Sequence, residues 1–243
     1  MKNSFFYRPV EDGPLQVWRH PKDSTKYTVG IDTSTGVVQD WTVMQVLENH
    51  LPFEQVAMFR AKWSVVECGK MAYQLGSFYN QALIVCETNY PGNAVQDALV
   101  MTYRYPHNYQ SEERLDSDPG ISSKYGFQTT EASKWLLIRE FQNAIKNREI
   151  ILNDRQTVEE LGSFVYKEDK SKTGAIEGLN DDCVIALMLA YRGAMLYPEA
   201  PIARDKREPL SVEVAQQRAM MDKFTKALKD YDPSEDMFFR NIV

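Results

Sequence analysis

Four carboxylates stand at the ends of three apolar segments. Asp32 closes Tyr27-Thr-Val-Gly-Ile-Asp32, Glu87 closes Ala82-Leu-Ile-Val-Cys-Glu87, and Asp181-Asp182 opens Cys183-Val-Ile-Ala-Leu-Met-Leu-Ala190. If the first two segments are neighbouring strands and the third is a helix laid across them, the acids converge on one spot. No Lys or Arg adjoins any of them in sequence. Oxygen-only donors of this kind suit a hard divalent cation such as Mg²⁺ or Mn²⁺. The chemistry implied is metal-assisted phosphodiester hydrolysis.

Each acid also has a use without chemistry. A charge ending a buried strand costs several kcal/mol unless it is paired or metal-bound. Asp32 could instead cap the turn at Thr33 to Gly36, and Glu87 could sit at a helix N-terminus, where the dipole favours it. On a helix, Asp181 and Asp182 point about 100° apart and need not share a role. Asp181 heads a row with Ile185 and Leu189, so it is taken as the more direct ligand. Asp182 heads Ala186 and Ala190, small residues that permit close approach, and is kept as a second or supporting acid. Either could cap the helix. Asp40 falls in a hairpin turn, where Asp is common for backbone reasons. Asp116, Asp118, Glu159 and Glu160 read as solvated charges, and Lys124, Lys134, Lys170 and Lys172 as scattered surface lysines.

The elements that must position these acids follow from periodicity. Leu15 to Trp18 reads as an edge strand in an N-terminal arm, and Tyr27 to Thr33, Trp41 to Leu47 and Glu54 to Lys62 as three antiparallel strands. Val65 to Phe78 has helical spacing and returns the chain to a strand at Ala82 to Cys86, parallel to the first of the three. Asn93 to Met101 reads as a helix presenting Ala94, Val95, Ala98 and Leu99, and Arg104 to Gln128 as a long loop. Thr130 caps an amphipathic helix to Asn147 that turns Trp135, Ile138, Phe141 and Ile145 inward. A short strand at Glu149 to Leu152, a helical turn at Gln156 to Leu161 and a hairpin arm at Ser163 to Tyr166 follow. Asn180 is expected to cap a helix from Asp181 to about Leu196, ended by Pro198. The resulting expectation is one domain over residues 1–200 and a charged, helical tail over 201–243.

Composition narrows the classes. Of 243 residues, 43% are hydrophobic and 26% charged, ordinary for a folded domain, and no apolar run approaches the roughly 18 residues of a membrane span. The N-terminus lacks the apolar core of a secretory signal, so an intracellular setting is expected. Cys68, Cys86 and Cys183 are odd in number and lie in apolar surroundings, as buried thiols do, and with His20, His50 and His107 they offer no zinc spacing. The net charge of −6 argues against gripping DNA by bulk electrostatics but allows a local acidic metal centre. No phosphate-binding glycine loop is present, so ATP hydrolysis is not supported.

The order of strands, helices and acids is that of the ribonuclease H-like fold. Five segments carry a closer likeness: Gly13-Pro-Leu-Gln-Val-Trp, Tyr27-Thr-Val-Gly-Ile-Asp-Thr-Ser-Thr-Gly36, Asp40-Trp-Thr-Val, Gly126-Phe-Gln-Thr-Thr130 and Gly178-Leu-Asn-Asp-Asp-Cys-Val-Ile-Ala-Leu. Together they resemble the C-terminal nuclease domain of the large terminase subunit of tailed bacteriophages, over roughly residues 13 to 197. The resemblance implies an α/β fold with a mixed five-stranded sheet and helices on both faces. It also implies an endonuclease whose partner is double-stranded DNA and which cuts concatemeric viral DNA during genome packaging in the host cytoplasm. Asp32, Glu87, Asp181 and Asp182 would hold two Mg²⁺ or Mn²⁺ ions when DNA is bound. Portal and small terminase subunit are the implied partners, and the family's packaging ATPase is missing from this chain. The rival readings are a junction resolvase or RNA-strand nuclease of the same fold, and a non-catalytic docking module of a packaging motor.

Overall fold

The structure, a computed structural model, describes residues 13–34, 41–114, 121–166, 173–175 and 181–198. Asp40, Asp116, Asp118, Lys170, Lys172, Asn180 and the expected tail over 201–243 lie outside the described residues.

The elements in chain order are β1 (Leu15–Val17), β2 (Tyr27–Asp32), β3 (Thr42–Glu48), β4 (Phe53–Ala61), α1 (Val65–Phe78), β5 (Leu83–Cys86) and α2 (Gly92–Asp97), the last running into a π turn at Ala98–Thr102. Then come β6 (Gln110–Arg114), β7 (Ile121–Tyr125), α3 (Glu131–Lys146), β8 (Ile150–Ile151), α4 (Arg155–Gly162), β9 (Phe164–Tyr166), β10 (Thr173–Ala175) and α5 (Asp182–Leu196). The main sheet runs β1-β4-β3-β2-β5, and β8 joins it as a sixth strand beside the start of β4. β2, β3 and β4 are antiparallel, while β5 lies parallel to β2 after the α1 crossover. The expected ribonuclease H-like arrangement is present, a mixed sheet with helices on both faces.

The two faces separate along β2 by strand alternation. Tyr27, Val29 and Ile31 join the cluster under α1 and α2, with Met44, Phe59, Leu75 and Leu99. Thr28, Gly30 and Asp32 therefore face the other side, where α3, α4 and α5 pack through Ile138, Phe141, Leu161 and Leu187. Helix α5 is buried almost all round between the sheet and α3 and α4, which is why its sequence is apolar on every side.

Three readings change. Arg104 to Gln128 is not one loop: β6 and β7 form an antiparallel hairpin within it, built from polar residues whose alternation does not stand out. In α3, Leu137 and Ala144 complete the buried face with Ile138, Phe141 and Ile145, while Trp135 is only half-buried. In α2, Gln96 is turned inward and Ala94 is exposed. The expected Thr130 cap is made, with Ser133 completing the reciprocal pair.

The approach of α5 to the sheet depends on Gly30. A Cβ there would lie 2.1 Å from the Ala186 carbonyl oxygen and 2.3 Å from the Ala190 nitrogen, both backbone atoms that cannot turn aside. Gly30→Ala should destabilise the chain by about 3 kcal/mol or more, the upper end for overpacking. Gly162→Ala, with nothing within 4 Å, should change stability by less than about 1 kcal/mol. Urea denaturation of both variants checks the contrast.

Candidate acidic site

Two registers bring the acids together. In the β2–β5 ladder Ile31 pairs with Cys86, and the Glu87 N–H donates to the Ile31 carbonyl at 3.0 Å, so Asp32 and Glu87 stand side by side one residue further on. Neighbouring strands lie about 4.8 Å apart and laterally paired side chains share a face, so both carboxylates point toward α5.

The second register is that of α5 on β2. Gly193 packs over Thr28, and Ala186 and Ala190 over Gly30, so the helix runs antiparallel to the strand. Two strand residues advance about 6.6 Å and four helix residues about 6 Å. The next step along both elements sets Asp182 at the level of Asp32.

The electrostatics show the same convergence. The Asp32 carboxyl is held well above its ordinary range by burial first, then by the Glu87 charge and a hydrogen bond with Glu87, then by Asp182 and Asp181. The other three acids singled out in the sequence thus all act on Asp32. Among the described residues, however, no group of three or more His, Cys, Asp or Glu side chains is gathered tightly enough to form a ready-made metal shell. The donor set nevertheless fits a hard divalent cation: carboxylate oxygens only, with repulsion at Asp32 that a cation would relieve.

Asp182 Oδ2 accepts from the Trp41 N–H at 3.2 Å. Asp181 is the residue at the N-cap position of α5, in place of the expected Asn180, yet its side chain makes no capping bond. Its Oδ2 lies 3.7 Å from Lys134 Nζ on α3. Lys134, read from sequence as a scattered surface charge, thereby stands beside one of the four acids.

Glu160 is a correction. Sequence placed it on a solvated face, but it is 4% exposed, and its Oε2 accepts the Cys183 N–H in the first turn of α5 at 2.9 Å. Burial raises its carboxyl above the ordinary range, against the lowering influence of that N–H and of Arg60, 3.7 Å away. Glu160 satisfies a helix-start donor that Asp181 or Asp182 would otherwise be drawn to, while Asp182 bonds to the Trp41 N–H and Asp181 faces Lys134. The available signal was spacing, since Thr157, Glu160 and Leu161 fall on one face of α4. Glu159 is exposed and pairs with Arg155, as a surface charge does.

A buried amide chain missed in the sequence fixes this corner. Gln45 donates to Thr157 Oγ1 at 2.9 Å and to the Cys183 carbonyl at 3.3 Å, and Gln55 donates to Gln45 Oε1 at 2.6 Å. Gln55 Oε1 accepts the Asn153 and Asp154 N–H groups, and Asp154 caps α4 through the Thr157 N–H. The chain links β3 and β4 to the starts of α4 and α5. Cys68, Cys86 and Cys183 are buried free thiols, each pushed up chiefly by burial, so none is poised as a nucleophile. No helix among the described residues is long and apolar enough to cross a membrane.

No protein-family model matches the sequence, and no curated protein does. Solved structures share its fold. The large terminase nuclease of thermophilic phage G20c with bound magnesium is similar over 75% of this chain and 89% of its own, at 18% identity and a TM-score of 0.59. The same nuclease with bound cobalt gives the same coverage at 18% identity and 0.58. The large terminase nuclease domain of Thermus phage P74-26 is similar over 74% of this chain and 85% of its own, at 18% identity and 0.56.

A raised carboxyl binds its proton more tightly in the folded chain than in the unfolded one, so metal-free stability should fall as pH rises from about 4 through the raised Asp32 value. Asp32→Asn removes that charge. Without metal it should melt higher than wild type at pH 7 and lose the advantage near pH 4, as thermal melts in EDTA at both pH values would show.

Proposed function

We propose that this chain is a divalent-metal-dependent DNA endonuclease of the terminase type, cutting concatemeric viral DNA during packaging in the cytoplasm of an infected bacterium. The observation that carries the reading is the level register of Asp32, Glu87 and the Asp181-Asp182 pair. Its support is the fold shared with terminase nucleases that bind magnesium and cobalt.

Asp32, Glu87 and Asp181 would be the direct ligands, with Asp182 as a further or supporting acid. When bound, a pair of Mg²⁺ or Mn²⁺ ions would supply Lewis acidity for activating water and for stabilising the leaving 3′ oxygen. The protein's own share is placement. The ladder fixes Asp32 against Glu87, Glu160 occupies the helix-start donor, and the Trp41 N–H orients Asp182. The N-terminus of α5 points its partial positive charge at the same spot, which favours carboxylates and an arriving phosphate alike. Because no base edge is contacted by these groups, cleavage would show little sequence preference. In this reading residues 1–200 are the nuclease domain and 201–243 a charged tail, and the portal, the small terminase subunit and the packaging ATPase would be the partners.

Plasmid nicking in Mn²⁺ tests the assignment. Asp32→Ala and Glu87→Ala should abolish cleavage, and Asp182→Ala should lower it about 10- to 100-fold, the range for groups that orient a ligand. Wild-type nicking by Asp32→Ala would contradict the proposal. Cleavage of a four-way junction or an RNA–DNA hybrid in preference to plasmid would move it to the resolvase or RNA-strand reading.

A further inference from the structure

Helices α3 and α5 run in the same direction, with their starts together. Lys134 in the first turn of α3 lies 3.7 Å from Asp181 at the start of α5, and further along Glu140 of α3 pairs with Arg192 of α5. Only the second pair is also a hydrogen bond. With Phe141 and Leu187 in the shared core, it ties the two helices together whether or not Lys134 is paired. The Lys134–Asp181 contact is therefore not needed to dock α3 on α5.

Three features make that contact exchangeable. Both side chains keep more than a quarter of their surface exposed, 27% and 30%. At 3.7 Å the ammonium is beyond the roughly 2.7–2.9 Å of a charge-assisted hydrogen bond, so the attraction is Coulombic and fixes no geometry. Asp181 itself makes no capping bond on α5. Ion pairs of this exposure are weak and give way to a stronger cation.

A divalent ion on Asp181 is such a cation. Its bond to a carboxylate oxygen is about 2.1 Å long, which would bring it within roughly 6 Å of an ammonium that stayed in place. Charges of +2 and +1 at that separation repel, even in water, by about a tenfold change in affinity. The ion and Lys134 thus compete for Asp181. The displaced ammonium remains tethered to the start of α3 by a flexible stem, beside cations that attract an anion, and a DNA phosphate is the anion at hand. We propose that Lys134 is a further functional residue of the acidic site, a counter-ion that a divalent cation displaces from Asp181 and that then contacts a backbone phosphate of the duplex being cut. The inference rests on the nuclease reading and deepens it, adding a phosphate contact that reads no base.

Lys134→Met keeps the length and helix preference of the side chain and removes its charge. Calorimetry without DNA should show Mn²⁺ bound about threefold to tenfold more tightly than by wild type, the upper figure being full relief of the repulsion. Lys134→Arg, which keeps the charge, should bind Mn²⁺ as wild type does. In EDTA Lys134→Met should melt lower than wild type, and in saturating Mn²⁺ the gap should close. Its plasmid nicking at saturating Mn²⁺ should nevertheless be slower and less sensitive to added salt, because one phosphate contact is gone. A merely structural lysine would not produce tighter metal binding together with slower cutting. Lys146→Met, in the last turn of the same helix, should change neither. Mn²⁺ affinity unchanged or weakened by Lys134→Met, or nicking as fast as wild type at saturating Mn²⁺, would overturn the proposal and leave the nuclease reading in place. Tightened Mn²⁺ binding with no nicking even by wild type would sink the nuclease reading and uphold the exchange at Asp181.

Discussion

The contact on which the rest depends is that of α5 with β2, a helix backbone pressed against a strand backbone. Gly30 offers no side chain, Ala186 and Ala190 offer the smallest, and Gly193 lets the helix close over Thr28 and Val85. Close packing of this kind holds an element in one register, since any sliding would drive a larger side chain into a space sized for none. The register decides where the helix begins. It begins at the level of Asp32.

Bringing four carboxylates together without a cation opposes folding, and the surroundings show how that cost is spread. Helix α5 directs its N-terminal dipole at them, Lys134 stands 3.7 Å from Asp181, and the raised Asp32 carboxyl can keep a proton shared with Glu87. The buried run from Gln55 through Gln45 to Thr157 and Cys183 holds the corner in one arrangement, so the acids cannot relax simply by moving apart. On the proposed reading, divalent cations would relieve that tension.

On the proposed reading, an acidic chain that handles DNA is consistent with this layout. The negative charge that matters is concentrated where cations would sit. Bound cations would then draw phosphate without attraction from bulk charge.

The sequence by itself determined the order of strands and helices, the parallel return of the β5 strand, and the identity of the four acids, because each is written in local periodicity or in a charge at the end of an apolar run. It also marked Ala186 and Ala190 as a surface for close approach. It misread Glu160, whose burial depends on α4 docking against the start of α5, and Lys134, whose neighbour Asp181 is 47 positions away in the chain. The β6–β7 hairpin was equally silent, since it leaves no hydrophobic pattern. Only the tertiary structure decided that Asp181 does not cap its own helix and that an acid from α4 caps it instead. Those outcomes belong to side chains distant in sequence competing for the same few backbone donors, and such competition is settled by packing.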